Sequence, residues 1–77
     1  MGAREDIILA LQTLGKPSHF NEIAKKIKDI SGKEYQDLGT TCADLTIGGN
    51  TSSTYKDSKK CLVRVERGVY YLAPDYK

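Results

Sequence analysis

Lys56, Lys59, Lys60, Arg64 and Arg67 place five positive charges within twelve positions, opposed only by Asp57 and Glu66. Ammonium and guanidinium groups at this density suit a polyanion such as a nucleic-acid backbone, because neutralising each phosphate releases condensed counterions. The competing reading is a solvated loop whose charges keep the edge of a sheet from pairing with another chain. Other reactive residue types are few. His19 is the sole imidazole and reads as a partly exposed turn residue; no Ser-His-Asp arrangement or pair of carboxylates turns it into a catalytic group. Cys42 falls on the apolar face of an expected helix and Cys61 at the start of an expected strand, where free cysteine behaves as a small hydrophobe. Two cysteines make no disulfide framework, and a bridge between them is geometrically open but supported by nothing in the sequence. With one histidine they lack zinc-ligand spacing, and the glycines match no phosphate-cradling motif. The chain is expected to be non-enzymatic and to use neither cofactor nor metal.

The elements that must position these groups follow from hydrophobic periodicity. In Leu62–Leu72, LVRVERGVYYL, two Val- and Tyr-rich runs flank Glu66-Arg67-Gly68. That pattern predicts an antiparallel hairpin carrying Arg64 and Arg67, and Ala73-Pro74-Asp75 stops its second strand. From Ala3 to Leu14, Ile7, Ile8, Leu11 and Leu14 recur at helical spacing with Ala10 beside them. Arg4, Glu5, Asp6, Gln12 and Thr13 take the wetter side, and Gly15 and Pro17 end the helix. Ser18-His19-Phe20 is too short for a strand of its own but can add one rung to the hairpin, with Phe20 buried. Asn21 is a favoured N-cap for a second helix over about Glu22–Ile30. Ile23, Ala24, Ile27 and Ile30 form its inner stripe, and Lys25, Lys26 and Lys28 point outward. A third helix is expected over Asp37–Ile47, with Leu38, Cys42 and Leu45 inward. Gly39, three threonines and Asp44 give it poor propensity, so packing must hold it. Gly48-Gly49 ends it, and Asn50–Lys60 is an eleven-residue polar loop, long enough to suggest function. The order helix, short strand, helix, helix, strand, strand is that of a winged helix, an α+β fold, over residues 3–73 with a tail at 74–77.

At 77 residues the chain is one domain, near the size where a single core is only just sufficient. A net charge of +2 and a pI near 8.6 are mildly basic, so the clustering of the cations says more than their sum. No apolar run reaches membrane-spanning length, and MGARED lacks the features of a signal peptide. A soluble intracellular protein is expected, cytoplasmic in a prokaryote and nuclear in a eukaryote.

The opening helix, the run GKPSHFNEIAKKI, the third helix and LVRVERGVYYL together resemble the HARE-type helix-turn-helix family over roughly Ile7–Leu72. In that family the segment matching Pro17-Ser18-His19-Phe20 leads into the second helix. Its strand-turn-strand ends in a Val, Gly, aromatic and Leu pattern, here Val65, Gly68, Tyr70 and Leu72. CADLTIGGNTS followed by a basic stretch is closest to the restriction-endonuclease-associated members. The resemblance implies an accessory winged-helix module that binds double-stranded DNA and recruits or positions an effector, in restriction-modification, transcription-regulation or chromatin settings. A recognition helix offers donors to base edges, and in the third helix Thr40, Thr41 and Thr46 supply hydroxyls for such groove contacts. That helix has no Lys or Arg and carries Asp37 and Asp44, so phosphate ligands are expected after it. They are Asn50, Ser52, Ser53, Lys56, Lys59, Lys60, Arg64 and Arg67. With few charge contacts, binding should be moderate to weak and steeply salt-dependent. The alternative is a protein-interaction winged helix without DNA binding, anchored by Tyr35, Tyr55, Tyr71, Tyr76 and the wing.

Overall fold

In the computed structural model, which describes residues 2–47 and 60–76, glycine sets the ends of the first two helices. α1 (Ala3–Leu14) stops where Gly15 turns left-handed, φ 68°, and returns its N–H to the Leu11 carbonyl at 2.8 Å. Ile7, Ala10 and Leu11 are buried and Ile8 is half-buried, as the apolar stripe requires. Asp6 departs from the expected wet side and is only 3% exposed. It accepts a hydrogen bond from the Tyr35 hydroxyl and lies 3.8 Å from the Lys33 ammonium. A carboxylate leaves water only when given such partners.

β1 (Ser18–His19) runs directly into α2 (Phe20–Ser31), which starts before the expected Glu22 because His19 rather than Asn21 is the N-cap. The His19 backbone is extended, and its Nδ1 accepts from the Asn21 N–H at 3.1 Å. The Phe20 N–H donates to the Gly68 carbonyl at 3.0 Å. Two donors orphaned by the helix start therefore have partners, one of them on the hairpin. Ile23 and Ile27 are buried, but Ile30, expected inward, is 42% exposed. It lies in the last turn, just before Gly32 (φ 73°) ends the helix.

α3 (Leu38–Asp44) is shorter than the expected Asp37–Ile47. Asp37 is left-handed, φ 54°, and stays outside the helix. At the other end Thr46 forms a parallel bridge with Leu62, and the Ile47 N–H donates to the Leu62 carbonyl at 2.9 Å. The chain trades helical for sheet-type hydrogen bonding there, which a weak helix former cannot resist. Leu38, Cys42 and Leu45 face the core as expected.

β2 (Leu62–Glu66) and β3 (Val69–Leu72) form the expected hairpin. β1 adds its rung to β3, giving a three-stranded antiparallel sheet in the order β1-β3-β2. Leu62 pairs with Leu72 and Arg64 with Tyr70; Leu62, Tyr70 and Leu72 are buried against the helices, while Arg64 is exposed. Leu62, Tyr70 and Leu72 close the core over Ile7, Leu11, Ile23, Ile27 and Cys42. A register shift between Arg64 and Glu66 marks a bulge, and Val65 inside it is 52% exposed. Pro74–Tyr76, within the expected tail, form a 3-10 turn laid on α1. Arg4 Nη2 donates to the Tyr76 hydroxyl at 2.8 Å, and the guanidinium carbon sits 5.5 Å from the Tyr76 ring centre. The described residues thus form an α+β fold of three helices and a small antiparallel sheet, compatible with a winged-helix-like arrangement. No helix among them is long and apolar enough to cross a membrane.

Candidate nucleic-acid interface

Arg67 and Gly68 form the hairpin turn, with Gly68 at φ 77°. A Cβ on Gly68 would lie 2.9 Å from His19 Nε2 and 3.4 Å from Phe20 Cε2. The His19 and Phe20 rings are 4.2 Å apart, centre to centre, and tilted by 32°. A Cβ on Gly39 would lie 3.3 Å from two carbons of the same Phe20 ring. The turn bearing Arg67 and the α3 turn bearing Thr40 therefore meet at one aromatic pair.

The candidate ligands fall into three groups. Arg64, Arg67 and Thr40 are exposed. Among the described residues, no hydrogen bond or ion pair engages either guanidinium, although Arg64 is close enough to Tyr70 to act on it electrostatically. Thr41 is half-buried, and its hydroxyl turns back 3.5 Å to the Asp37 carbonyl, so it points less freely outward than Thr40. Lys60 differs from expectation. It is 8% exposed and already engaged, and the next residue, Cys61, docks its N–H on the Leu45 carbonyl at 3.0 Å. Asn50, Ser52, Ser53, Lys56 and Lys59 lie outside the described residues, as do Tyr55 and the Gly48-Gly49 terminator.

Burial sets the state of the two thiols. Both cysteines are free and fully buried. Burial, aided by the neighbouring Cys61, pushes the Cys42 thiol up to about 12, and burial likewise raises Cys61 despite the opposing charge of Arg4. A thiol held protonated attacks nothing at neutral pH. Burial also raises the Tyr70 phenol, with Cys42 adding to it and Arg64 opposing. On α2, Lys28 is tied to Glu34, which raises the ammonium and lowers the carboxyl below its ordinary value. Both are exposed, so water screens the pair.

Comparison with protein-family models, with curated proteins and with solved structures found no match. Periodicity had no means of assigning the His19–Phe20 pair a role between two surface elements. The one available signal was Gly39, a glycine inside a helix that can ill spare a good helix former.

Proposed function

We propose that the chain is a non-catalytic winged-helix module of the HARE type that binds duplex DNA and positions an effector on it. The observation that carries this reading is the placement of exposed Arg67 and exposed Thr40 on elements joined through one ring pair. Arg64 and Arg67 neutralise phosphates from the wing, and α3, which has no cation of its own, samples the groove with Thr40. Backbone contacts dominate, so affinity is modest and falls steeply with salt. The resemblance noted in GKPSHFNEIAKKI and LVRVERGVYYL supports the same assignment, in restriction-modification or in transcription and chromatin settings.

The reading without DNA has less support from the tyrosines. Tyr35, Tyr71 and Tyr76 are half-buried. Tyr35 is committed to Asp6 and Tyr76 to Arg4, which leaves few aromatic anchors for a partner protein.

Titration of duplex DNA across a salt series tests the proposal. Binding should appear at low salt and weaken toward physiological salt. In Arg64→Ala/Arg67→Ala the slope of log affinity against log salt should shrink by about 2, close to one phosphate per cation removed. No binding at low salt, or an unchanged slope in the double variant, overturns it.

A further inference from the structure

We propose that His19 and Phe20 are positioning residues, a two-ring strut that sets the spacing between the wing turn and the first turn of α3. The inference rests on the DNA-binding reading and names the device that makes Arg67 and Thr40 act on one duplex together.

The strut is defined at both ends by missing side chains. Gly68 has a left-handed backbone, so its glycine has a conformational reason as well as a steric one. Gly39 has no such reason. It sits in a seven-residue helix with ordinary helical backbone, where alanine would raise helix propensity. What alanine would disturb is the Phe20 ring, 3.3 Å from the position of its Cβ. The glycine is therefore explained by the ring that lies on it.

Between the ends, each ring is fixed. His19 Nδ1 holds the Asn21 N–H at 3.1 Å, which orients the imidazole so that its other nitrogen presses on Gly68. The Phe20 N–H holds the Gly68 carbonyl at 3.0 Å, and His19 pairs with Val69 in the sheet. Phe20 lies against His19, and its Cε2 edge is 3.3 Å from the Cβ position of Gly39 and 3.4 Å from that of Gly68, so this ring spans from α3 to the wing turn. The pair is thus a spacer rather than a platform on which a base stacks.

The strut predicts energetic coupling between Arg67 and the rings. Phe20→Leu keeps apolar volume but loses the flat ring; His19→Asn keeps an N-cap acceptor but loses the imidazole. Gly39→Ala pushes the ring from α3. In the unaltered chain, Arg67→Ala should weaken duplex binding by about tenfold at low salt. In any of the three strut variants the same substitution should cost about twofold or less, because the wing is no longer held to the duplex-facing side of α3. An equal loss in both backgrounds overturns the strut. A second readout needs no DNA: Phe20→Leu should move the Gly39 Hα resonances, and His19→Asn those of Gly68, through loss of ring-current shifts. Unmoved glycine resonances overturn the strut as well. If the unaltered chain binds no duplex, the DNA-binding reading fails, and the glycine resonances still decide whether the strut exists.

Discussion

At the scale of single residues, the two left-handed glycines Gly15 and Gly68 separate backbone strain from contact. Their φ values are nearly equal, 68° and 77°, but a Cβ on Gly15 meets nothing within 4 Å, whereas one on Gly68 meets His19 Nε2 at 2.9 Å. Gly15→Ala should cost about 1 kcal/mol for the left-handed backbone alone. Gly68→Ala should cost at least about 1 kcal/mol more, because the imidazole must leave its place against Asn21. Urea unfolding of the two variants checks the difference, and equal costs would show that the ring contact contributes nothing. The sequence placed His19 on the rung added to the hairpin, where it lies, but apolar spacing put Asp6 on the wet side and missed its burial. The partner of Asp6 is Tyr35, twenty-nine residues away, and periodicity reports only which side of a helix is greasy. A carboxylate drawn inward by a distant hydroxyl leaves no trace in such a pattern.

At the scale of elements, legibility followed how local the determinants are. α1 runs over the expected Ala3–Leu14, because stripe, Gly15 and Pro17 all lie within the segment itself. The hairpin falls within the expected Leu62–Leu72 for the same reason. α3 ends early because Thr46 and Ile47 are taken by Leu62, a partner known only once the hairpin is placed. The connection from α2 to α3 is also held from a distance, by Tyr35 donating to Asp6 on α1. Tyr35→Phe removes that donor and leaves a nearly sealed carboxylate with one ammonium at 3.8 Å. Leaving a buried acceptor short of a partner should lower the Tm by roughly 5–10 °C in a domain this small. Asp6→Asn/Tyr35→Phe should recover part of the loss, since the charge is gone along with its donor. A Tm for Tyr35→Phe equal to that of the unaltered chain would mean that this latch does not hold the connection.

At the scale of the whole molecule, the core itself sets the alkaline limit of stability. Folding raises the Cys42 and Cys61 thiols and the Tyr70 phenol chiefly by burial, and the Tyr35 phenol chiefly through its bond to Asp6. Each of these groups must stay protonated in the native state, while the unfolded chain ionises freely. A group whose pKa is raised on folding lends its full stability below its unfolded pKa and loses it as pH climbs through the folded value. For Cys42 the window opens near the ordinary thiol value of 9.0 and extends to about 12. Across that window the protonated thiol lends stability on the order of a few kcal/mol, which matters in a domain of this size. The urea midpoint should therefore be flat between pH 7 and about 8.5 and fall steadily above pH 9, with no matching loss on the acid side from these groups. Cys42→Ala starts less stable, because it leaves a small cavity in the buried cluster. Its loss per pH unit between pH 9 and 11 should nevertheless be smaller by about 1.4 kcal/mol, one proton's worth. An unchanged slope in Cys42→Ala would show that the buried thiol is not what makes this core sensitive to alkali.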